Sequence, residues 1–123
     1  MKIYTFLLLG FILVLTSCAP RVGTANIYHR DQPIEIELQN FSFSPDHFVV
    51  LGNESPILLS LRNTSNVQHN FTLMAPDRTF TLSKDLEPNS MVTLNIESLK
   101  PDNYLFYCSF HQHRGMEGMM MVH

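Results

Sequence analysis

Ile34, Ile36 and Leu38 alternate with Glu35, Glu37 and Gln39. This period of two gives an extended strand one apolar and one polar face. Further short strand-like runs follow: HFVVL (47–51), PILLSLRN (56–63), HNFTL (69–73), RTFTL (78–82), MVTLNIE (91–97) and NYLFYC (103–108). In PILLSLRN, Leu59 and Leu61 fall opposite Leu58, Ser60 and Arg62. Between the runs stand Ser44-Pro45-Asp46, Gly52-Asn53, Asn63-Thr64-Ser65-Asn66, Ala75-Pro76-Asp77, Glu87-Pro88-Asn89 and Pro101-Asp102-Asn103. Each carries turn chemistry, and a spacing of roughly 8 to 14 residues predicts an all-β sandwich of about seven or eight strands. Helical periodicity is missing after the first segment, and the sequence holds no internal repeat.

That first segment has a different pattern. MKIYTFLLLGFILVLTSC carries Lys2, then no charge from Ile3 to Ser17, then Cys18. A basic start followed by an apolar run of about 15 residues reads as a secretory signal, too short for the roughly 20 residues of a membrane-spanning helix. Leu15-Thr16-Ser17-Cys18 resembles the lipobox of bacterial lipoproteins, which implies cleavage after residue 17 and a lipid on Cys18. Each lipid CH₂ buried in a membrane would add roughly 0.8 kcal/mol of anchoring. Residues 18–30, with Pro, Gly and Asn and no sustained periodicity, read as a tether, and 31–123 as one domain.

Composition narrows the function. The chain has 123 residues, 45% hydrophobic, and a formal charge of −3. That suffices for one core, and without a basic cluster nucleic acid is not an expected partner. Of two cysteines, a lipidated Cys18 leaves Cys108 as the one thiol of an exported chain, with no disulfide partner. Such a thiol is a liability unless it is buried or bound.

FYCSFHQHRGMEGMMMVH (106–123) offers it company. His111 is the third residue after Cys108 and Met116 the eighth; His69 stands upstream, where a loop enters the run HNFTL. One thiolate, two imidazoles and one thioether make the ligand set of a blue-copper electron-transfer site. Thiolate and thioether favour Cu(I), imidazole tolerates Cu(II), and a rigid compromise between them keeps rearrangement small. Cys108 ends a strand, and the loop after it is long enough to bring His111 and Met116 back to the sulfur.

His69-Asn70 together with FYCSFHQHRGM resembles the plastocyanin-type cupredoxins, whose signature is H-N upstream and Y-C-x-P-H-x4-M downstream. The likeness covers roughly residues 33 to 123, including QNFSFSP (39–45). It implies a Greek-key cupredoxin sandwich and one type 1 copper cycling between Cu(I) and Cu(II). The implied ligands are His69, Cys108, His111 and, at long axial range, Met116. It also implies that the Asn70 backbone N–H faces the Cys108 sulfur while its side chain fixes the loop near Ser109. Phe110 departs from the pattern by replacing proline, and His113 and Arg114 replace small residues. His113, five residues after Cys108, resembles azurin spacing, but no methionine follows at the azurin offset, so His111 is preferred.

The expected function is a lipid-anchored electron carrier, not an enzyme, since four filled ligand positions leave none for substrate. Electrons would pass at the His111 edge, with Phe110, Gly115, Met116 and the nearby His113 at the docking surface. Expected partners are redox proteins such as cytochromes or copper oxidases and reductases. The carrier itself is expected to be a monomer on a bacterial membrane, facing the periplasm or cell exterior. The alternative is a periplasmic copper carrier or resistance protein, to which Met119, Met121 and His123 could add a weak Cu(I) site. A cysteine–histidine hydrolase lacks an orienting acid and an oxyanion-hole motif.

Overall fold

The structure, a computed structural model, describes residues 25–52, 56–97 and 99–123. The signal segment, Cys18 and the first part of the tether lie outside the described residues. Ten strands appear: β1 (Asn26–His29), β2 (Ile34–Gln39), β3 (Ser42–Ser44), β4 (His47–Leu51), β5 (Ile57–Asn63), β6 (His69–Met74), β7 (Thr81–Leu86), β8 (Met91–Ile96), β9 (Asp102–Tyr107) and β10 (Glu117–Val122). They form a six-stranded sheet, β1-β4-β10-β9-β6-β7, facing a four-stranded one, β3-β2-β5-β8.

The chain makes more strands than the seven or eight expected. β3 has only three residues and reads as part of a turn, and β1 lies within the stretch read as tether. β1 pairs in parallel with β4, and Arg30 behind it is buried, so the sheet begins before residue 31. Four residues, three of them well exposed, leave too little periodicity to detect.

Alternation places the core where the sequence puts it. Ile34, Ile36, Leu38, Leu59 and Leu61 are fully buried between the sheets. Phe43, Phe48, Phe71 and Phe106 make mutual ring contacts at centroid separations of 5.1 to 6.0 Å. Burying a side chain of this size contributes about 1.5–3 kcal/mol, and aromatic contact adds about 0.5–1.5. On β10 the methionines divide by parity: Met120 and Val122 are buried, while Met119 and Met121 are half-buried on the outer face.

Gly118 lets β10 pass close to its neighbours. A Cβ there would stand 2.2 Å from the Asp46 carbonyl oxygen and 2.4 Å from the Phe106 ring, so no larger residue fits without movement. Among the described residues, no helix is long and apolar enough to cross a membrane. Register fixes one pole of the sandwich: β6 begins there at His69 opposite Leu86, and β9 ends there with Tyr107 opposite Glu117.

Candidate metal centre

His69 opens β6 and points inward with Phe71 and Leu73; all three are fully buried. The loop before it is tied down by Asn63, which is buried at the end of β5. The Asn63 amide donates to the carbonyls of Val67 (2.8 Å), Leu86 (3.2 Å) and Glu87 (3.1 Å). Its Oδ1 accepts from the backbone N–H and hydroxyl of Ser65. One side chain thus fastens the His69 loop to the β7–β8 turn. The sequence reading saw only a turn there; an asparagine at the end of an alternating strand, before Thr-Ser-Asn, was the available signal.

Cys108 follows β9 directly and is fully buried. From it the chain folds a compact loop. The His111 N–H donates to the Cys108 carbonyl (3.1 Å) and Gln112–Arg114 form one 3₁₀ turn. Gly115 closes that turn at φ 81°, in the left-handed region that glycine occupies at no steric cost. The Cys108 N–H then donates to the Met116 carbonyl (3.0 Å), bringing Met116 back beside the cysteine, where its side chain is fully buried.

The loop and β6 bring three donors together. Cys108 Sγ lies 3.8 Å from His69 Nδ1 and 3.4 Å from His111 Nδ1, and the two nitrogens are 3.1 Å apart. His69, Cys108 and His111 form the one group of metal-ligating His, Cys, Asp or Glu atoms among the described residues. His113 is exposed on the 3₁₀ turn and stands outside it. A first-row ion needs about 2.0 Å to imidazole and about 2.3 Å to thiolate, judged from zinc. Donor pairs on one ion can then be no more than about 4.1 Å (N···N) or 4.3 Å (N···S) apart. All three separations satisfy this.

Protonation gives a second test of fit. If His69 Nδ1 offers its lone pair, its proton sits on Nε2, which is enclosed with no hydrogen-bond partner. An unsatisfied buried group costs about 1–3 kcal/mol, a cost that a metal bond at Nδ1 would offset. Burial, then the facing His111, pushes the His69 pKa below its usual value. Burial, then His113 and Arg114, lowers that of His111. Both shifts favour the neutral imidazole that binds metal.

The Asn70 backbone N–H donates to Cys108 Sγ at 3.3 Å, as the resemblance implies. The side chain does not follow the implied path to Ser109. Its amide donates to Ser83 Oγ (3.0 Å) and Asp85 Oδ1 (2.6 Å), and its oxygen accepts from Thr72. The reason is register: Asp85 stands directly across the ladder from Asn70, and Ser83 across from Thr72. Both amide hydrogens are therefore used on β7, and none is left for the exposed Ser109. Nothing in the sequence indicated which partner would win.

Around His111 the surface is partly open. Phe110 is 43% exposed, with its ring 6.4 Å from that of His111. Gly115 is also exposed. Phe41, from the β2–β3 turn, lies closer at 5.0 Å and 70°, and the Arg114 guanidinium covers its ring at 4.2 Å. Sequence reading included Phe41 only within QNFSFSP and gave it no role.

Comparison with known proteins bears on the family and the fold. The model of the cupredoxin-like domain matches residues 5–122. Among solved structures, dithionite-reduced auracyanin of the photosynthetic bacterium Roseiflexus castenholzii is similar at 22% identity and a TM-score of 0.63, over 80% of this chain and 98% of that one. Auracyanin A, a "blue" copper protein of Chloroflexus aurantiacus, is similar at 17% identity and a TM-score of 0.60, over 75% of this chain and 100% of that one. The copper-containing nitrite reductase of Thermus scotoductus shares 16% identity at a TM-score of 0.59, over 75% of this chain but 22% of its own. At these identities the likeness is one of fold. No curated protein sequence matches the chain.

Proposed function

Because the chain belongs to the cupredoxin-like family, and with it takes one type 1 copper as cofactor, we propose that His69, Cys108, His111 and Met116 hold that copper in a single-electron carrier. Bound there, copper supplies Cu(I)/Cu(II) chemistry. One observation carries the reading: two imidazole nitrogens and a cysteine sulfur converge within 4.8 Å, in a chain that buries Met116 beside them. This is the two-nitrogen, one-thiolate set whose potential is tuned by a weak axial thioether and by hydrogen bonds to the sulfur. The chain's own residues hold the donors, with the Asn70 N–H stabilising negative charge on Sγ.

The buried thiolate and thioether leave no open position for a substrate, which supports a carrier rather than an enzyme. His111 is the half-buried member of the set, and Phe110, His113 and Gly115 on the same loop are all exposed. A small surface of that kind suits brief contact with redox proteins such as cytochromes or copper oxidases and reductases. Export through residues 1–17 and a lipid on Cys18 would hold the monomeric carrier on a bacterial membrane, facing the periplasm or cell exterior.

The test is spectroscopic. Protein loaded with Cu(II) is expected to be intensely blue with narrow copper hyperfine splitting. Replacing Cys108, His69 or His111 with Ala should abolish the band. Met116→Leu should keep copper and raise its potential. A colourless protein that binds only Cu(I) would favour copper carriage, and bleaching by His113→Ala would overturn the ligand assignment.

A further inference from the structure

The turn between β2 and β3 contains a local anomaly. Gln39 pairs with Ser42, so Asn40 and Phe41 alone make the turn. Phe41 adopts φ 60°. The left-handed region suits glycine or asparagine and is an outlier for a bulky side chain. An asparagine is present, but at position 40, where φ is not positive. The turn would be better served by the reverse order. A broken local rule of this kind points to a use elsewhere.

The use lies across the sandwich. The Phe41 ring, held on the smaller sheet, meets the His111 ring at 5.0 Å and 70°. Arg114, three residues further along the same loop, places its guanidinium over the Phe41 ring at 4.2 Å. Its backbone N–H also donates to the His111 carbonyl at 2.9 Å. The loop therefore grips Phe41 between two of its own side chains. It has reason to: residues 109–115 contain no proline, and all but His111 are exposed. Cation–π contact of this kind persists at a surface where a simple ion pair would be screened.

We propose that Phe41, clamped by Arg114, is a positioning residue that holds the His111 imidazole in its donor orientation. Phe41 touches no metal; it acts through His111. The inference rests on the copper reading above, but the brace itself belongs to the protein with or without metal.

Phe41→Asn separates this role from packing, because asparagine relieves the backbone while removing the ring. In metal-free protein the variant should melt at the same temperature or higher. The His111 imidazole proton resonances should meanwhile lose the ring-current shift that Phe41 imposes. In copper-loaded protein the blue band and reduction potential should move, and Cu(I) should pass to a chelator faster, on the order of 10-fold. Phe41→Tyr should restore all of these. Arg114→Gln, an exposed change that leaves the fold intact, should shift the same readouts less, and Arg114→Lys should recover them. Unmoved His111 resonances in Phe41→Asn would overturn the proposal, as would a melting temperature that falls while band and release rate stay put. A wild-type protein that never turns blue would sink the copper reading alone, since the metal-free resonances still test the brace.

Discussion

The two histidines that meet at the sulfur are held in opposite ways. His69 stands in the ladder of β6, paired across to Leu86 and fully buried, with its approach loop fastened by Asn63. His111 stands on a loop held by a few backbone bonds within residues 108–116 and by an aromatic contact from the opposite sheet. The difference teaches a division of labour. Strand placement gives one donor a fixed position at the expense of access. Loop placement gives the other access, and its position must come from a brace. A carrier needs both, since the metal must hardly rearrange while an electron still has to reach the surface.

Breaking that contrast has the largest expected effect. His69→Gly and His111→Gly should each remove the blue band. Added imidazole should restore most of it in His111→Gly, where the vacated place opens to solvent, and little in His69→Gly, where the space is enclosed. Absorption during imidazole titration reads both. Equal rescue would mean that His69 is more accessible than its complete burial implies.

A smaller effect should come from the supports. Asn63→Ala strips donors from three carbonyls at once and should destabilise the protein by about 1–3 kcal/mol, measured by denaturant unfolding. Ser109→Ala, at an exposed loop position, should change stability by no more than ~0.5 kcal/mol. A large effect of Ser109→Ala would return the loop-fixing role to that serine.

What was legible in the sequence follows the same division. β2, with one wet face, declares itself by alternation, and β4, β5, β6 and β9 were readable as short apolar or alternating runs between turn residues, and with them the sandwich. The meeting of His69, Cys108 and His111 was readable because thiolate, imidazole and thioether at those offsets have few other uses together. The supports were not readable. Asn63 and Phe41 act on residues far along the chain, and the side-chain partners of Asn70 depend on the register of β7. Asparagine in a turn and phenylalanine near a strand are ordinary in sequence; only the fold gives them partners. β1 was missed for a plainer reason, since a four-residue edge strand has almost no period to read.

The smallest effect is one of pH, and it sharpens the contrast without a mutation. In metal-free protein the pKa values of both His69 and His111 lie below the usual 6.5, with burial the largest cause for each. The unfolded chain therefore takes up protons near pH 6.5 while the folded protein still resists them. Stability is full above that value and falls as pH drops through and below it. Asp77, held low first by the Thr79 side chain, contributes only near or below its usual 3.8. The lowered values of His69 and His111 act within the interval from pH 8 to 5. Denaturant midpoints of metal-free protein should decline across it, and those of copper-loaded protein should decline less, because under the proposed ligand assignment a proton would have to compete with the metal for each Nδ1. His69→Asn should flatten the metal-free decline by removing the enclosed imidazole. His111→Asn should flatten it less, since that ring is only half-buried and loses less solvation on folding than the enclosed His69.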